Sequence, residues 1–249
     1  MIFLALRIFP YLSVLVYFSL IRLMFVWPDF WNWFLLSVLV WGAVYFLLLK
    51  YKNPHKPIFI SALFSFALLS AGAVYVLILG NGWLVNLFLV IWSALIGFYF
   101  EGVFHDFYKT ERVGIINLDN LSLYAGMLAV FFFTATIVNL FIFLNFDYWL
   151  ILLILTVVYG ACIFKPLKRI KPDDSDLLIW GTVFWLILFE VLVALLFLPF
   201  SFYVIAFVVA SVYYLLFALV LATDNKTKWR RLIYVLIVLL LIFVTANWF

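Results

Sequence analysis

About nine stretches of nearly uninterrupted apolar residues take up almost the whole chain, and no soluble fold can bury them. They run over residues 8–27, 30–49, 57–79, 83–104, 121–144, 148–164, 177–198, 202–222 and 232–248. A helix that crosses the hydrocarbon layer needs about 20 predominantly apolar residues, and each stretch has close to that length. Lipid offers no hydrogen bonds, so only helices and closed barrels satisfy their own backbone across it. Barrel strands alternate polar and apolar over about ten residues, whereas Leu150–Val158 and Leu232–Val244 are continuous. The expected fold is therefore all-α, a polytopic integral membrane helix bundle of about nine spans. Of the 249 residues, 70% are hydrophobic and 10% charged, far from the roughly one quarter charged of a soluble protein. A single transmembrane domain over residues 1–249, without a soluble domain and with the lipid bilayer as its first partner, follows.

The placement of charge predicts orientation. Lys and Arg collect in the short cytoplasmic loops of membrane proteins. Here Lys50, Lys52 and Lys56, then Lys109 and Arg112, then Lys165, Lys168, Arg169 and Lys171, then Lys226, Lys228, Arg230 and Arg231 fall in alternate connections. The intervening ones, around Pro28-Asp29, Gly80-Asn81-Gly82, Asn145-Phe146-Asp147 and Pro199-Phe200-Ser201, hold no basic residue. The N-terminus is thus expected inside and the C-terminus outside, in a multi-pass protein of the cell membrane, plasma or inner. Trp27, Trp31, Trp33, Trp83, Trp149 and Trp248 would then gather at the outer boundary, where amphipathic rings belong. The net charge of +4 is explained by these membrane-flanking loops, so no nucleic-acid partner is expected. Arg7 precedes a run with no small-residue cleavage signal, which reads as a retained first span. A lone cysteine, Cys162, excludes an intramolecular disulfide and a thiolate metal cluster.

Close helix approach in lipid depends on small residues. The third stretch is rich in them, with Ser61, Ala62, Ser65, Ala67 and Ser70-Ala71-Gly72-Ala73, and is expected at the centre. Ser93-x3-Gly97, Ala125-x3-Ala129 and Ala206-x3-Ala210 mark further contact faces. The last span carries only large residues from Leu232 to Val244, with Tyr234 its polar handle, and is expected at the periphery against lipid or a partner membrane subunit. Oligomeric state is not legible. Asp29, Asp119 or Asn120, Asp147, Ser175 and Ser201 stand where helix N-caps are expected.

Ionisable groups inside a span are costly and mark function by default. Arg22 and Glu190 are two such groups, each expected in the outer half of a span running outward. Asn86 and Asn139 fall in the same layer, which defines a possible outer-half polar pocket. Two readings stay open: Arg22 and Glu190 pair or share that pocket, or Arg22 snorkels to the headgroups while Glu190 is neutral or acts as interhelical glue.

A second cluster is expected at the cytoplasmic face: Glu101 and His105, spaced i and i+4 and so on one helix face, with Asp106 beside them and His55 in a neighbouring loop. Such a set suits a divalent metal or a carboxylate-oriented general base, and equally an ordinary polar cap at the headgroups. No H-E-x-x-H, P-loop, G-x-S-x-G or dinucleotide-binding signature is present. No metal or cofactor is expected, since no lysine lies within a span to form a Schiff base and no histidine to ligate haem. The functional expectation is a permease-like carrier of a small or lipidic molecule, or a structural subunit of a membrane assembly. The alternative is an embedded enzyme acting on a lipid-linked substrate at the cytoplasmic face.

Overall fold

The computed structural model describes residues 2–27, 31–52, 59–79, 82–108, 118–144, 148–170, 174–221 and 233, and not every side chain within them. The described residues form eight helices and no strand: α1 (Ile2–Val26), α2 (Trp31–Lys52), α3 (Phe59–Leu79), α4 (Trp83–Tyr108), α5 (Leu118–Leu144), α6 (Tyr148–Ile170), α7 (Asp174–Leu196) and α8 (Phe202–Leu221). Seven of the helices, all but α2, are picked out among the described residues as long and apolar enough to cross a membrane. The protein is all-helical with the architecture of a polytopic membrane bundle. The ninth stretch, 232–248, lies outside the described residues apart from Ile233.

Helix ends differ from expectation where polar residues are good helix formers. The helix expected over 148–164 continues to Ile170 and carries Pro166 inside it. Lys165, expected in a loop, is instead a buried residue of α6. Helix α5 starts at Leu118, so Asp119 and Asn120 fall in its first turn rather than capping it. A carboxylate there faces the positive end of the helix dipole. Ser175 likewise falls within α7. Ser201 does cap α8: its hydroxyl accepts from the Val204 N–H at 3.4 Å. Asp29 and Asp147 lie outside the described residues.

The chain divides into two compact units, Met1–Ala125 and Gly126–Phe249. In the first, α1 packs on α2 and α4, and α3 on the same two helices, with α1 and α4 the most extensive pair. Helix α3 is the most buried of the candidate spans, with 61% of its apolar window inside. Its small residues explain this. A Cβ added at Gly72 would collide with the Trp92 indole and stand 2.8 Å from the Tyr17 hydroxyl. Side chains lean toward the helix N-terminus, so the side chain at i+4 overhangs the carbonyl of residue i. Gly72 and Ala73 leave the Leu68 and Leu69 carbonyls uncovered. Trp92 Nε1 donates to the first at 3.2 Å and the Tyr17 hydroxyl to the second at 2.6 Å. A cross-helix hydrogen bond of this kind contributes about 0.6 kcal/mol in lipid.

In the second unit α7 packs on both α6 and α8. The same device recurs with a different cause. Pro166 has no N–H to give the Cys162 carbonyl one turn earlier, and the buried Tyr213 hydroxyl of α8 donates to that carbonyl at 2.8 Å. Thr134 of α5 and Tyr159 of α6 share a buried hydrogen bond of 2.6 Å. Gly181 of α7 admits the Phe164 ring, where a Cβ would clash. The small faces read from sequence are inside: Ser93, Ala125, Ala129, Ala206 and Ala210 are all buried. Large apolar residues cover much of the exposed surface, and Trp27, Trp33, Trp83 and Trp149 stand exposed at helix ends, as interfacial anchors do.

Candidate functional site: the α1–α4 seam

Helices α1 and α4 run antiparallel along a seam pinned at three levels. The Tyr11 hydroxyl donates to Glu101 Oε1 at 3.3 Å. One turn on, Gly97 takes the Val14 side chain so closely that a Cβ would clash with it. Further along, Tyr17 and Trp92 meet at Gly72 of α3. Following this register five residues beyond Tyr17 and five back from Trp92 brings Arg22 about level with Leu87, next to Asn86. The faces also agree. Eleven residues make three turns and return to nearly the same side of a helix. Arg22 therefore shares the side of Tyr11, and Asn86 the side of Gly97.

Arg22 is half-buried on α1. Asn86 is half-buried too, and its Oδ1 is fully enclosed without a hydrogen-bond partner among the described residues. Such an acceptor costs about 1–3 kcal/mol. The other two residues of the expected outer layer belong to the second unit: Asn139 is half-buried on α5, and Glu190 is exposed on α7. Neither Arg22 nor Glu190 has an ion-pair partner among the described residues.

At the opposite end of the seam, Glu101 and His105 come together on one face of α4, with His105 Nε2 3.8 Å from Glu101 Oε1. Glu101 is half-buried, His105 is 37% exposed and its Nδ1 is enclosed without a partner among the described residues. Asp106 is exposed at the end of the helix, and His55 lies outside the described residues. No group of three His, Cys, Asp or Glu is placed to hold a metal ion among the described residues. A rigid wall stands behind the cluster. Phe9 stacks on Trp41 and Tyr45 with centroids 4.5 and 4.4 Å away, Phe100 sits edge-on to Tyr45, and the Tyr45 hydroxyl donates to the Phe100 carbonyl at 2.9 Å. These rings pack against one another among α1, α2 and α4.

Sequence reasoning did not single out Tyr11, which brings a third polar group to Glu101 from another helix. Its signal was faint: one tyrosine near the start of the first span. Equally illegible was an apolar cleft in the second unit, lined by Ile137 and Phe141 of α5, Leu152 and Leu155 of α6, and Phe189 and Leu192 of α7 among others. Its free volume of about 40 Å³ is far below the roughly 300–1,000 Å³ of a small-molecule pocket.

Comparison with known families, curated proteins and solved structures returned no match. The helices and their apolar surfaces define the class, a multi-pass helical membrane protein.

Proposed function

We propose that this protein is a permease-like carrier of a small or lipidic molecule, with Arg22 and Asn86 as ligand-binding groups on the α1–α4 seam. The observation that supports this most is the enclosed Asn86 oxygen without a partner. An acceptor left unpaired in a lipid-embedded helix destabilises the resting protein, and a ligand that donates to it recovers that energy. Arg22 supplies donors suited to a carboxylate or phosphate. A molecule with both an anionic oxygen and a hydroxyl or amine satisfies the two together. On the orientation read from the basic loops, with the N-terminus inside, this seam end faces outward and the Glu101 end faces the cytoplasm.

The test is exchange from proteoliposomes loaded with a mixed extract of small metabolites and lysolipids, followed by mass spectrometry. We expect at least one solute class to equilibrate through the wild type and not through Arg22→Gln or Asn86→Leu. The same Asn86→Leu change should stabilise the ligand-free protein by about 1–2 kcal/mol, because it removes an unsatisfied acceptor. If no solute moves, and the protein instead purifies in fixed stoichiometry with another membrane protein, the chain is a structural subunit. Turnover of a lipid-linked substrate that is lost in His105→Ala would make it an enzyme.

A further inference from the structure

We infer that Arg22 of one copy of this protein pairs with Glu190 of a second copy, through the exposed sides of α1 and α7. Ionisable groups inside a span almost always pair with one another or with backbone carbonyls. Arg22 and Glu190 carry opposite charges, and neither has an ion-pair partner among the described residues. Arg22 stands four residues before Val26, where α1 ends, and Glu190 six before Leu196, where α7 ends. At 1.5 Å per residue these are depths of about 6 and 9 Å from the helix ends, a difference that an arginine side chain spans. The basic loops orient both helices outward, so the two charges belong to the same half of the membrane.

The helices that carry these charges are also the least buried of the candidate spans. Only 28% of the apolar window is inside in α1 and 28% in α7, against 44–61% in the other five. On α1 the exposed residues Leu15, Ser19 and Val26 share a stripe with Arg22, and on α7 Val183, Leu186 and Ala194 share one with Glu190. All stand three, four or seven residues from the charge, as one face of a helix requires. Helix association in lipid comes from close packing rather than from apolar area, and these stripes interlock. With Arg22 set opposite Glu190 in parallel helices, Val26 comes opposite Ala194 and Ser19 opposite Leu186, a large residue against a small one at each level. A guanidinium and a carboxylate form two parallel hydrogen bonds, which fixes that register.

The contact joins unlike faces, α1 of one copy to α7 of the next. Every copy therefore offers both halves, and a closed ring of copies completes the assembly. The pair itself does not rest on the carrier reading. It adds to that reading, because a bidentate carboxylate leaves some of arginine's five donors for the anionic end of a cargo. On the carrier reading, each binding site is then completed by a residue of the neighbouring copy.

Thiol bridging between two differently tagged copies, co-expressed in a Cys162→Ala background, tests this with both charges in place. Val26→Cys on one copy and Ala194→Cys on the other put the thiols one turn outward of Arg22 and Glu190. We expect a bridged species that carries both tags, and none when Val90→Cys, on the exposed side of α4, replaces Val26→Cys. Energy transfer between labelled copies, followed on dilution into lipid vesicles, measures the association itself. Arg22→Gln and Glu190→Gln should each weaken it by about tenfold or more, as the loss of one member of a desolvated pair does, and the exchange of charges, Arg22→Glu with Glu190→Arg, should restore it. Where a charge variant folds poorly, the bridge between copies with intact charges decides alone. No bridge between copies, or one equally abundant with Val90→Cys, overturns the interface. So does a bridge that forms only inside a chain carrying both Val26→Cys and Ala194→Cys, since the charges then pair internally. A folded exchange variant that stays dissociated overturns the pairing. The outcome separates from the solute assay: failed exchange with an intact bridge removes the carrier reading alone, and a missing bridge with intact exchange removes the interface alone.

Discussion

Gly72→Ala should be the most damaging single methyl that α3 can receive. The added Cβ falls onto the Trp92 indole and within 2.8 Å of the Tyr17 hydroxyl. Both side chains are buried, Trp92 at 2% and Tyr17 at 2% exposure, so neither has open space to swing into. Overpacking of this kind costs about 1–3 kcal/mol. If the indole and phenol are displaced, their bonds to the Leu68 and Leu69 carbonyls go with them, at about 0.6 kcal/mol each. The total is roughly 2–4 kcal/mol by these two contributions. Gly42→Ala is the matched control: nothing lies within 4 Å of its added Cβ, and on propensity the change is neutral or favourable by up to about 1 kcal/mol. Reversible unfolding of the detergent-solubilised protein by increasing SDS, followed by tryptophan fluorescence, measures both. A loss at Gly72 within about 0.5 kcal/mol of that at Gly42, the ordinary range for a change without a special mechanism, would refute the tight α1–α3–α4 node. Trp92→Phe should partly relieve Gly72→Ala, because a smaller ring vacates the space the methyl enters.

Tyr213→Phe should cost about 1 kcal/mol in the same assay, within the range measured for side-chain bonds in lipid, because Pro166 cannot replace the lost donor to the Cys162 carbonyl. In a Pro166→Ala background that carbonyl regains a backbone N–H, and the cost of Tyr213→Phe should fall by half or more. Topology is checked with reporter fusions: alkaline phosphatase placed after Phe249 should be active and the same reporter after Lys171 inactive, and the reverse pattern rejects the N-inside orientation.

The all-helical membrane class was legible because lipid leaves so few choices. Continuous apolar runs such as Leu150–Val158 decide helix against barrel without any knowledge of partners. The small-residue run Ser70–Ala73 similarly announced a buried α3, since close approach depends on side-chain size alone. Helix ends were less legible. The basic residues after Phe164 read as a loop, yet α6 carries Lys165 and Pro166 onward to Ile170, because Lys and Arg are good helix formers and Tyr213 supplies the hydrogen bond that Pro166 withholds. The polar sites divide in the same way. The i, i+4 spacing alone places Glu101 and His105 on one face, as local helix geometry requires. That Tyr11 joins them depends on the antiparallel register of α1 and α4. Val14 seated on Gly97 and Trp92 seated on Gly72 set that register, and these contacts join residues too far apart in the chain for any local pattern to encode.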